Sequence, residues 1–316
     1  MVRLIFQRLV QMLLIMALTS LCLFALFDSE SFRRQIANAE LGNFGLAAMS
    51  DADYAAWLAK KGLNVPFHER YVAWLGDVAG GDFGVSFEKN AAVAELLGDR
   101  LLNTAILAGT VFAVMVPLAL LLGILAGARE GSPRDRVITV LCVGTTSFPE
   151  IATAIVLTVV FALGLGWLPA KSAMVGGWDW RELVLPAGTL ILYGFGYVAR
   201  MTRASMVEVM TTPFIRTATL KGIPRRQVIL RHALRNAMIA PFTVIVLQIN
   251  WLLSGVVVVE VFFDYSGFGK LLLDAALFGD IYVIQAATLV AVVVAVVSQT
   301  VSDLGYLFLN PRIRFA

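Results

Sequence analysis

The chain has 316 residues; 59% are hydrophobic, only 15% are charged, and the formal net charge is +3. A soluble domain of this length has no use for so much apolar surface, and several runs reach the roughly 20 residues that cross a bilayer. These runs do not alternate as barrel strands do, so the chain reads as an all-α polytopic membrane protein.

The first apolar run covers residues 9–27 and follows Arg3 and Arg8. It is too long for a signal peptide, and Ala37-Asn38-Ala39 lies too far beyond it to serve as a cleavage site. It is therefore expected to be an uncleaved first span, residues 1–27, with its N-terminus in the cytoplasm. Residues 28–100 are polar, and positions 28–99 carry eleven acids against six bases, a net −5. This segment is expected outside; residues 51–61 and 67–78 read as helices within it, followed by a turn at Gly80-Gly81-Asp82-Phe83-Gly84.

Residues 101–316 read as a five-helix core. The second span is 105–127, in which Gly123 and Gly127 lie about one helical turn apart and permit close helix approach. A short loop with Arg129, Arg134 and Arg136 follows. The third span, 137–163, is expected to break near Pro149 and holds Glu150 at a depth where a carboxylate is costly. Trp167, Trp178 and Trp180 suit an aromatic belt. The fourth span is 184–198, and its helix can continue through Arg200 and Arg203. The fifth is 238–259, carries Gln248, Asn250 and Ser254, and is closed by Glu260. Residues 261–280 return outside, and the last span is 281–307.

The count is six spans with both ends inside. The segments assigned to the cytoplasm are short, yet they hold 15 of the 25 Lys and Arg residues, the bias that sets orientation.

The segment 200–236 stands apart. It contains Arg200, Arg203, Arg216, Lys221, Arg225, Arg226, Arg231 and Arg235 against Glu208 alone, a net +7. Thr212-Pro213 is a helix start, and Gly222 with Pro224 ends that helix and opens another. By charge alone this is a solvated loop that fixes topology, or a patch for anionic lipid.

Catalytic chemistry is absent from the pattern. Gly269-Lys270 is followed by Leu271 and does not make a phosphate-binding loop. No Ser-His-Asp or Cys-His arrangement has supporting context. Cys22 and Cys142 lie in apolar runs, and His68 and His232 lack metal-ligand neighbours, so no metal and no cofactor are expected. The chain is not expected to be an enzyme, and uphill transport would draw its energy from a partner. Among the polar residues in the spans, Asn250 and Ser254 share a helix face while Gln248 points about 200° from Asn250. Gln248, Asn250 and Ser254 read either as interhelical hydrogen-bonding groups or as a lining of a translocation path, and Glu150 as a structural partner or a pathway residue.

Residue order adds a resemblance. Arg216-Thr217-Ala218, three residues, then Gly222, with Lys221 before it, resembles the coupling motif of integral permeases of ABC importers in the dipeptide, oligopeptide and nickel branch. His232-Ala233-Leu234-Arg235-Asn236-Ala237 is similar to the same branch, as are Gly81-Asp82-Phe83-Gly84 with Ser86, Asn103-Thr104, and the tail Asn310-Pro311-Arg312-Ile313-Arg314. The sequence departs from the family at Leu102 and Ser266, where proline is usual, and lacks the Ala-Pro-Gly-Asp common after the first span.

The resemblance implies the six-helix type I permease fold with a long external loop. It implies a bacterial inner-membrane location and import of peptides or a related solute. It also implies a second homologous permease, two cytoplasmic ATPase subunits and an extracytoplasmic solute-binding protein as partners, with the bilayer around them and no nucleic acid. Arg216, Thr217, Ala218, Lys221, Gly222, Arg225 and Arg226 are then expected to meet an ATPase groove. An ion-coupled secondary transporter would instead need repeated topology and clustered buried ionisable groups. A membrane scaffold without a transport path is the other alternative.

Overall fold

A computed structural model describes residues 2–60, 63–174 and 178–309. The tail motif at Asn310-Pro311-Arg312-Ile313-Arg314 lies outside the described residues, as do the side chains of Asn250 and Ser254. Among the described residues the regular structure is helical, apart from one isolated antiparallel bridge between Val85 and Ala92. The helices are α1 (Val2–Phe27), α2 (Glu30–Ala48), α3 (Asp51–Lys60), α4 (Phe67–Ala79), α5 (Val93–Gly127), α6 (Pro133–Ser147), α7 (Glu150–Leu157), α8 (Trp180–Met210), α9 (Pro213–Leu220), α10 (Arg225–Gln227), α11 (Leu234–Ala237), α12 (Ile239–Gly255), α13 (Val257–Phe262), α14 (Phe268–Phe278) and α15 (Ile281–Leu309). Wider turns continue α7 through Thr158–Gly164 and fill Val228–Ala233 between α10 and α11.

Among the described residues, four helices are long and apolar enough to cross a membrane: Phe6–Phe27, Val93–Gly127, Trp180–Met210 and Ile281–Gly305. Two bent pairs raise the number to six when each is taken as one span. Pro133–Ser147 with Glu150–Gly164 turns by 101°, and Arg225–Ala237 with Ile239–Ile249 by 51°. The first bend has a local cause. Proline forces the residue before it into an extended conformation, and Phe148 stands at φ −89°, ψ 133°.

The chain forms two compact units, Met1–Leu102 with Lys270–Val297, and Asn103–Gly269 with Ser298–Ala316. In the first, Ala37 and Trp57 are buried with Leu41, Leu46, Met49, Leu58 and Ile281 around them. This packing makes a helix of α2, where the sequence pattern alone marks none; Gly42, at φ +74°, kinks it. The ring of Phe24 on α1 packs on Phe67, Tyr71 and Trp74 of α4. The turn after α4 is pinned at Asp280, whose carboxylate accepts from the Ser86 hydroxyl at 2.5 Å and the Glu88 amide at 3.3 Å.

The second unit is built around α8. Its buried face includes Leu190, Phe195, Val198, Ala199 and Met206, and α6, α7, α11 and α12 pack on it. Thr189 and Thr202, both fully buried, donate their hydroxyls to the carbonyls of Leu185 and Val198, so neither leaves an unpaired group. Gly123 and Gly127 meet this helix directly. A side chain at Gly123 would stand 2.6 Å from the Ala199 carbonyl oxygen, and one at Gly127 2.7 Å from that of Arg203.

Candidate coupling and translocation sites

The segment after α8 is shaped by its own sequence. Thr212 takes an extended conformation at φ −69°, ψ 151°, and Pro213 opens α9, where its missing N–H costs nothing. The helix stops at Gly222, whose φ of +76° is open to glycine and strained for most other residues. There the Ile223 amide donates to the Ala218 carbonyl and the Gly222 amide to that of Thr219, the paired closure of a Schellman cap. Ile223 then folds back onto the apolar cluster of Ile215, Ala218, Val228, Ala233, Ala237 and Met206.

That cluster sorts the predicted residues into two faces. Arg216, Thr217, Lys221, Gly222, Arg225 and Arg226 are exposed, whereas Ala218 is buried against the rest of the segment. Phe214 at 44% exposure and Leu220 at 80% lie on the outer side with the basic groups. Sequence reasoning missed these two: apolar residues on a short amphipathic helix look like core until burial shows that Ile215 and Ala218 already fill that role. Arg225 also reaches inward, its Nη2 donating to the Ala128 carbonyl at 2.6 Å.

The intramembrane candidates separate too. Glu150 opens α7 behind Pro149; it is half-buried, and its Oε1 has no hydrogen-bond partner among the described residues. Gln248 is half-buried on α12 and faces α8, its Nε2 3.5 Å from where a side chain on Gly194 would begin. Beside it Trp251 stacks on Tyr193 with ring centroids 5.1 Å apart.

A further carboxylate is buried where the sequence reading placed only the close of a span. Glu260 is fully buried on α13 and accepts from the Thr104 hydroxyl at 2.6 Å; Thr104 Oγ1 in turn accepts from the Phe268 amide at 2.8 Å. Asn103 donates from Nδ2 to the Ser266 carbonyl at 2.8 Å, and the Tyr265 hydroxyl donates to the Asn103 carbonyl at 2.7 Å. The return loop is thus tied to Asn103-Thr104. Thr104→Val keeps the shape but removes both hydroxyl bonds, to Glu260 and from the Phe268 amide, and a hydrogen bond lost in a buried site costs about 0.5–1.5 kcal/mol, more where one partner is charged. The purified variant is expected to melt several degrees below the parent in detergent; an unchanged melting temperature would show the knot to be dispensable.

Residues 119–315 match the family described as binding-protein-dependent transport system inner membrane component. The chain belongs to this family. The permease is 34% identical over 276 residues to the oligopeptide transport system permease protein AppB of Bacillus subtilis (strain 168), covering 84% of this chain and 87% of that protein. It is 36% identical over 267 residues to the glutathione transport system permease protein GsiC of Salmonella choleraesuis (strain SC-B67), covering 84% and 86%. To GsiC of Escherichia coli (strain K12) it is 35% identical over 254 residues, covering 80% and 82%. The permease is therefore a multi-pass inner-membrane transport subunit of the ABC importer type, not an enzyme.

Proposed function

We propose that the permease forms half of a translocation path for peptides or a glutathione-like thiol peptide, paired with a second homologous permease. Two cytoplasmic ATPases drive it, and an extracytoplasmic binding protein delivers the solute. The exposed outer face of α9 is the observation that carries this reading. Phe214 and Leu220 supply apolar contact, while Arg216, Thr217, Lys221, Arg225 and Arg226 supply polar and charged groups that set encounter and register more than raw affinity. Buried Ala218 seats that face from behind, and the turn at Gly222 ends its helix. The test is reconstitution of the permease with a candidate partner permease, ATPase and binding protein in proteoliposomes. ATP-dependent uptake of labelled glutathione or of a labelled short-peptide pool supports the reading, and ATP-independent uptake driven by an ion gradient refutes it.

The same reading requires both termini and residues 200–236 in the cytoplasm and residues 28–100 outside. Reporter fusions at Asp53 and Arg226 are expected to fall on opposite sides of the membrane; the same side for both would sink the six-span arrangement.

Within the path we assign Glu150 and Gln248, with Asn250 and Ser254 further along the same helix as Gln248. The carboxylate oxygen of Glu150, buried without a partner among the described residues, supports its facing the interior rather than lipid. Glu150→Gln is expected to insert and fold normally but to alter the uptake rate. Normal uptake by Glu150→Leu would remove Glu150 from the path.

A further inference from the structure

The loop 128–132 joins α5 to α6, and it is gripped from two directions. On one side the Arg225 guanidinium of the basic segment holds the Ala128 carbonyl at 2.6 Å. On the other, Asp135 in the first turn of α6 gathers the loop. Its Oδ2 accepts from the Gly131 amide at 2.8 Å, and its own amide donates to Ser132 Oγ at 3.2 Å. The same carboxylate takes a two-pronged grip from Arg203 of α8, Nε to Oδ1 at 2.5 Å and Nη2 to Oδ2 at 2.8 Å, with Thr139 Oγ1 adding a bond at 3.3 Å.

Asp135 is 2% exposed. A buried ion pair is weak evidence for stability, because desolvation offsets most of the attraction and apolar packing would serve as well. What a bidentate guanidinium–carboxylate pair does supply is a fixed orientation between the elements that carry it. Here those elements are α6 and α8, and α8 runs through Thr211-Thr212 directly into α9. At the same level the Gly127 backbone lies against the Arg203 backbone, so the end of α5 shares the junction.

We propose that Asp135 and Arg203, with the Arg225–Ala128 contact beside them, form a clasp that delivers displacement of α9 and α10 to α5 and α6 together with α8. This rests on the reading of α9 as the ATPase dock. Asp135 and Arg203 are positioning residues: neither is placed on the docking face or in the path. With the clasp intact the three helix ends move as one. With it broken, α8 follows the ATPase while α6 slips, and hydrolysis continues without matching transport.

The experiment uses the complete complex in proteoliposomes, with the labelled peptide pool or labelled glutathione as probe, and reads uptake per ATP hydrolysed alongside co-purification of the ATPase. Asp135→Asn and Arg203→Gln are each expected to keep the ATPase bound and to lower uptake per ATP about fivefold or more, the low end of typical coupling between sites. The double variant is expected to be no worse than either single one, as for two halves of one device. Arg203→Lys keeps the charge without the fork and is expected to fall between the parent and Arg203→Gln. Uptake per ATP equal to the parent in any assembled Asp135→Asn complex overturns the clasp. So does a parallel fall of uptake and hydrolysis in all the variants, Arg203→Lys included, because that is simple loss of folded protein. Failure of the parent to retain the ATPase would instead overturn the docking reading beneath it.

Discussion

Gly123→Val is expected to lower the yield of folded permease sharply and to drop its melting temperature in detergent. The new side chain would begin 2.6 Å from the Ala199 carbonyl oxygen and would press on Thr202, so helix backbone, not a flexible side-chain tip, must give way. Overpacking of this kind costs about 1–3 kcal/mol and at times more. Gly127 repeats the contact about one turn on, 2.7 Å from the Arg203 carbonyl oxygen and 2.6 Å from Met206 Cβ, so Gly123→Val/Gly127→Val is expected to leave no recoverable folded protein. Gly144→Ala is the control. Open space surrounds that position on α6, and alanine is favoured over glycine in a helix by roughly 0.5–1 kcal/mol. A Gly123→Val protein as stable as Gly144→Ala would mean that α5 and α8 are not in contact there.

Gly222→Asp is expected to leave the permease in the membrane and to weaken retention of the ATPase by about tenfold, roughly 1.4 kcal/mol. Nothing lies within 4 Å of the position a side chain would occupy, so the penalty comes from the backbone. A left-handed conformation costs most residues about 1–2 kcal/mol, and relaxing it would undo the closure at Ala218 and Thr219 that aims α9. Aspartate also sets a negative charge beside Lys221. Asparagine has nearly the same shape, enters the left-handed region as aspartate does and carries no charge, so Gly222→Asn is expected to keep more of the binding than Gly222→Asp. Co-purification of the ATPase with each variant decides the matter, and equal retention by Gly222→Asp and the parent would reduce the segment to a loop that fixes topology.

The elements most legible in the sequence were those with local causes. Thr212-Pro213 and Gly222 mark the ends of α9 because a proline at the first turn and a glycine at a left-handed cap act through their own backbones. Pro149 marks the bend between α6 and α7 for the same reason, although its size, 101°, was not readable. What was missed depends on tertiary contact. α2 is only weakly patterned and stands because Ala37 packs on Trp57. α14 follows a Ser-Gly turn and is too short to announce itself as a span. α5 begins at Val93, well before its apolar stretch, because charged residues at 95, 99 and 100 are compatible with helix but not with a span. Of the candidate sites, the outward cations Arg216, Lys221, Arg225 and Arg226 were legible as charge, and Thr217 only through its place in the motif. The inward place of Ala218, the exposure of Phe214 and Leu220, and the burial of Asp135 and Glu260 were not, because one-dimensional order does not say which face a neighbour covers.

Cross-linking from α9 tests the central claim most directly. Thr217 is exposed on the outer face, and Cys22 and Cys142 are the only native cysteines, so Thr217→Cys in a Cys22→Ser/Cys142→Ser background presents a single thiol there. In membranes holding the complete complex, a short thiol-reactive cross-linker is predicted to join this position to the ATPase subunit, while Asp53→Cys in the same background gives no ATPase adduct. An adduct with the ATPase at position 53, or none at position 217 in a complex that still hydrolyses ATP in response to the binding protein, would contradict the account.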